Sequence, residues 1–159
     1  MRVQRAGIWE DTAMRIGPYD GTTLNLKMNR TALAQLKKMM PGKAIIEVDL
    51  FMVSSPTQDN RKERPYFPYV LMICDHDSRM ILATDLLKPL PTLEAMWEDV
   101  PAKTVEVLAR RMAPKEIMVR NDFVKSLLEF VGQELGCKIK KSARLAAIDS
   151  ARKELNRFF

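Results

Sequence analysis

From Ala44 to Val53 apolar and acidic side chains alternate. Ile46, Val48, Leu50 and Met52 fall on one side of an extended segment, and Glu47 and Asp49 fall on the other. A period of two predicts a strand. A carboxylate inside an apolar strand is costly unless it is paired or opens on a cleft. Asp49 is therefore expected to be paired or to open on a cleft, and Glu47 on the same face to share that cleft or to face solvent beside it.

The flanking segments predict the sheet around this strand. Tyr69 to Cys74 is a short apolar run, Asp75-His76-Asp77-Ser78-Arg79 is a polar turn, and Met80 to Leu87 returns as a second strand. Further on, Thr104 to Met112 has helical spacing with Val105, Leu108 and Met112 inward, and Pro114 stops it. Glu116 to Val119 is a buried strand. Asp122 is expected to cap a helix running to Leu135, with Phe123, Leu127, Phe130, Val131 and Leu135 inward and Gly136 at its end. Cys137 to Lys141 is a strand, and Ala146 to Phe159 a last helix with Leu145, Ile148, Leu155, Phe158 and Phe159 as its stripe. A hairpin meander followed by alternating β and α units predicts an α/β domain built on a mixed five-stranded sheet flanked by helices.

Before residue 44 the pattern differs. Gly17-Pro18, Asp20-Gly21 and Met28-Asn29 are turn signals, and Thr31 to Met40 predicts a helix that Asn29 or Thr31 caps and Pro41-Gly42 ends. The expected organisation is an extension with one helix over 1–43 and one domain over 44–159.

Charge is distributed unevenly. Of a net +6, residues 1–43 carry +5, 44–136 carry −4 and 137–159 carry +5. Basic flanks around an acidic centre suit a surface that holds a polyanion. Solvated faces of terminal helices account for the same charges. No apolar run approaches the roughly 20 residues of a membrane span, and Met1 to Glu10 has no apolar leader, so a cytoplasmic protein without a membrane association is expected. Two cysteines and one histidine are too few for a four-ligand Cys/His zinc cage. Cys74 and Cys137 are expected as small core fillers. Met39, Met40, Met52, Met72, Met80, Met112 and Met118 lie in periodic segments and are expected in the core as well. The run Arg61-Lys62-Glu63-Arg64-Pro65-Tyr66-Phe67-Pro68-Tyr69 interleaves basic and aromatic residues, which suits single-stranded nucleic acid or a loop pinned by its aromatics.

Several fragments in this order resemble the RNase H-like catalytic cores of retroviral-type integrases and transposases. Ile45-Ile46-Glu47-Val48-Asp49-Leu50 resembles their first strand, and Tyr69 to Leu82, with its Asp-x-x-Ser-Arg turn, their second and third. Pro114-Lys115-Glu116-Ile117 with Asn121-Asp122 resembles the fourth strand and its terminal aspartate. Glu134-Leu135-Gly136-Cys137-Lys138 resembles the lead into the fifth, and Glu154-Leu155-Asn156-Arg157-Phe158 the helix bearing the catalytic glutamate. The resemblance spans about residues 44–159. The loop Arg64 to Pro68 is also similar to an Arg-Pro-x-x-Pro loop of bacterial domains that have no assigned activity.

The resemblance implies Asp49, Asp122 and Glu154 as catalytic residues and as ligands of Mg²⁺ or Mn²⁺. Two such ions activate a water or hydroxyl and stabilise the leaving oxygen of a phosphodiester. The sequence departs from the family at the second acid. Arg120-Asn121-Asp122-Phe123 stands where Ser/Thr-Asp-Asn/Arg-Gly is usual, and a slip of one residue reverses the face of a strand. A helix cap suits Asp122 and a solvated charge suits Glu154. The expected function is a non-catalytic or degenerate module associated with nucleic acid, a protein partner or a second copy of itself. The alternative is a metal-dependent phosphodiesterase or strand-transfer enzyme.

Overall fold

A computed structural model describes residues 2–5, 8–11, 23–40 and 42–155. Strands β1 (Arg2–Arg5) and β2 (Ile8–Asp11) form a separate antiparallel pair. The turn signals at 17–21, the Pro41 half of the first helix stop and the end of the last helix, with Phe158 and Phe159, lie outside the described residues.

The expected sheet is present. Its strands are β3 (Ile45–Met52), β4 (Tyr69–Asp75), β5 (Ile81–Leu87), β6 (Glu116–Val119) and β7 (Lys138–Lys141), in the spatial order β5-β4-β3-β6-β7. The meander β3–β4–β5 is antiparallel, while β6 lies parallel to β3 and β7 parallel to β6. The most apolar strands, β3 and β4, are therefore interior to the sheet, and the lysine-rich β7 is an edge. Lysines on an edge oppose pairing with another chain.

Residue parity along β3 defines the two faces. Ile46, Val48 and Leu50 join the larger core with α1 (Arg30–Lys38), α3 (Val100–Ala109) and α4 (Asp122–Leu135). Phe51, together with Val70, Met72 and Cys74 of β4, joins a smaller core under α5 (Ala146–Leu155). Helix α1 belongs to the larger core through Leu33 and Leu36, and Asn29 accepts from Ala32 N–H at 3.0 Å as its cap. Gly42 is held where an added Cβ would stand 2.0 Å from the Ala113 carbonyl oxygen, so no larger residue fits the backbone crossing there.

Several expectations need correction. A short helix α2 (Leu93–Glu98), capped by Thr92, precedes α3, which runs over 100–109 instead of 104–112. Pro101 lies in its first turn, where the missing N–H costs nothing. Helix α4 is capped by Asn121, whose side chain accepts from Val124 N–H, and Asp122 is only its first residue. Phe123 and Phe130 are partly exposed, and Val124 and Leu128 take their expected places beside Leu127 and Val131. The ring of Phe123 makes an edge-to-face contact with Trp97. Met40, Met52 and Met80 are exposed, because each stands at the end of its periodic segment.

Candidate functional site

The carboxylates of β3 point to the α5 side and are nearly devoid of solvent contact, Glu47 at 0% and Asp49 at 1% exposure. Each is neutralised or hydrogen-bonded from outside its own strand. Asp49 Oδ2 lies 2.6 Å from Arg120 Nε and 3.6 Å from Arg152 Nη1, and its Oδ1 accepts from Leu50 N–H. Arg120 follows β6 directly. Val119 pairs with Val48, so one step further along two parallel strands brings Arg120 beside Asp49. Met118, two residues earlier, faces the same small core.

Arg120 links three segments. Its Nη2 donates to Asp149 of α5 at 2.6 Å, and its Nη1 to the Ala143 carbonyl at 3.1 Å. Asp149 also accepts from Leu145 N–H. Burial acts against the Arg120 charge, but hydrogen bonds to Asp49 and Asp149 outweigh it and raise its pKa above the ordinary arginine value. The guanidinium is a permanent cation at the centre of the sheet's acidic side. Arg152 adds a second, stacked 4.0 Å over the Phe51 ring.

Glu47 serves a different purpose. Leu145 precedes α5 and has no side-chain acceptor, and Glu47 Oε2 takes the Ile148 N–H at 2.9 Å in its place. Its Oε1 accepts from His76 Nδ1 at 2.5 Å. The neighbouring Cys74 thiol is pushed up to about 11 by burial and then by the Glu47 charge, so it is not a nucleophile at neutral pH. Among the described residues no buried side-chain nitrogen or oxygen lacks a partner.

The three acids singled out in the sequence are dispersed. Asp49 is buried against Arg120, Asp122 is 78% exposed and paired with Lys141 at 2.6 Å, and Glu154 is on an exposed part of α5. No cluster of three or more His, Cys, Asp or Glu among the described residues has metal-holding geometry. The partners Arg120, His76, Asp149 and Arg152 were not anticipated. A signal for Arg120 existed: it has the parity of Met118 and follows a buried strand that a β/α unit must place beside β3.

The fold and this centre define an α/β domain with an open mixed sheet whose central carboxylate is held by arginines of its own chain. The chain belongs to the family described as Domain of unknown function (DUF6930), matched over residues 32–156. No curated protein matches it. No helix among the described residues is long and apolar enough to cross a membrane.

Proposed function

We propose that this chain is an RNase H-like domain in which arginine has taken the place of the second metal-binding acid, leaving a non-catalytic module that associates with nucleic acid. The strand order supports the relationship. A three-strand meander whose first strand is central, followed by two parallel strands beyond it, is the arrangement of that fold. The single observation that carries the loss of catalysis is the 2.6 Å pair between Arg120 and Asp49.

In an integrase-like core the residue ending the fourth strand supplies a carboxylate to the same ions as the acid of the first strand. Here that position presents a guanidinium. A divalent ion at Asp49 would face two arginine charges at close range in a poorly solvated site, where repulsion between like charges is strong. Displacing Arg120 would also leave Asp149 Oδ1 and the Ala143 carbonyl without the donor they share. Breaking a buried pair by removing one partner typically costs about 3–5 kcal/mol. The net charge of +6, concentrated toward the two ends of the sequence, supports association with a polyanion.

The test is metal response. Wild-type melting temperature is expected to be unchanged by millimolar Mn²⁺, and a labelled oligonucleotide is expected to remain intact in its presence. Cleavage that requires Mn²⁺ and disappears in Asp49→Asn would overturn the reading in favour of a phosphodiesterase.

A further inference from the structure

We infer that the concavity between the β4–β5 turn and α5 is a phosphate-binding site, the place where this module holds a nucleic-acid backbone or a nucleotide. The inference rests on the binding-module reading and deepens it. The concavity measures about 530 Å³ and is lined by Arg79, Arg144, Arg152, Lys153, Ser150 and Asp149. That volume falls within the range of small-ligand sites, roughly 300–1,000 Å³.

The charges there are not the solvated face of a single helix. Arg79 comes from the turn after β4, Arg144 from the loop after β7, and Arg152 and Lys153 from α5. Arg152 is committed to Asp49 and Phe51. Asp149, the one acid lining the hollow among the described residues, is already paired with Arg120. Arg79, Arg144 and Lys153 form no ion pair among the described residues. Three cations from three segments, none of them ion-paired among the described residues, thus meet around one hollow, with the Ser150 hydroxyl beside them. Like charges brought together repel, and an anion relieves the repulsion.

Arg79 adds a second argument. Its backbone sits at φ 60, in the left-handed region. The turn is fixed by Asp75, whose Oδ1 accepts from Ser78 N–H at 2.7 Å and from Ser78 Oγ at 2.6 Å. Glycine is the cheap residue at such a position, and a long cationic side chain is not. Planar guanidinium groups suit the paired oxygens of phosphate. Among the described residues the lining offers guanidinium, ammonium and hydroxyl donors, which suit phosphate oxygens.

The experiment follows fluorescence anisotropy of a fluorescein-labelled oligo-dT strand of about 12 nucleotides, long enough for a site of this kind, with full-length protein in EDTA. AMP and inorganic phosphate serve as unlabelled competitors. The probe variant is Arg79→Gly, which the turn accommodates without strain, alone and combined with Arg144→Ala. The double variant is expected to bind the strand about tenfold more weakly. The slope of log affinity against log salt is expected to shrink by about 0.7 per cation removed. Displacement of the strand by AMP or inorganic phosphate that is lost in Arg79→Gly assigns the site to a small phosphate ligand, and strand binding that neither displaces but that the double variant weakens assigns it to the polymer; either result supports a phosphate site. Undiminished binding by both variants, or no binding of any of the three probes, overturns it. Mn²⁺-dependent cleavage would instead remove the underlying reading, and EDTA keeps the two outcomes apart.

Discussion

At the scale of single residues, the carboxylates divide by what they face. Asp49 and Glu47 face the interior and are met there by arginine, histidine and a helix amide. Asp75 faces the outside and organises a turn. Hydrogen bonds from the Ser78 side chain and backbone hold the Asp75 carboxyl below the ordinary carboxylate range. A lowered native pKa contributes stability that is present above the unfolded value and is lost as pH falls through the native one. Wild type is therefore expected to melt higher than Asp75→Asn at pH about 6, with the gap closing as pH drops below about 4. Melting curves of both proteins across that range check this, and a gap independent of pH would count against it. The residue is solvent-exposed enough that the effect is small. The exceptional nature of Asp49 was legible from sequence, because an acid in an apolar strand demands an explanation. Its partner was not. The distance from Asp49 to Arg120 depends on strand register across 71 residues, and Asp122, the nearest acid in sequence, lies on an exposed helix start instead.

At the scale of elements, local periodicity located most of them. The strands β3 to β7 fall within one residue of their expected bounds, since turn, proline or glycine signals flank them, even where, as in the lysine-rich β7, the strand is not an apolar run. Helix α2 was hidden by Pro89 and Pro91, which end β5 and mask how soon a capped helix begins at Thr92. Helix α5 shows an element whose start is supplied from elsewhere. Its preceding residue is leucine, and its third amide is satisfied by Glu47 from the middle of the sheet. Replacing Glu47 by alanine orphans that amide beside His76 and is expected to lower stability by about 1–3 kcal/mol. Glu47→Gln keeps an acceptor oxygen and is expected to recover part of the loss. Urea midpoints of the two variants decide it: equal midpoints would mean that the carboxylate does not act as the cap.

At the scale of the whole molecule, the described residues cover the two faces of the sheet unequally. Three helices, α1, α3 and α4, cover one face, and the ten residues of α5 are the cover described on the other. That cover is fastened by Glu47 to its Ile148 amide and by Arg120 and Asp49 to Asp149 and Arg152. Within the described residues one wall is thus thinner than the other. In native-state hydrogen exchange, the amides of α5 are expected to exchange through an opening of lower free energy than those of β3 and β4, which open only with global unfolding. Equal protection throughout would contradict this. The thin wall also bears one side of the Arg79 hollow, so a ligand clasped between that turn and the helix would bolt the wall shut. Occupancy would then be readable far from the ligand itself, as slower deuterium uptake along the whole of α5.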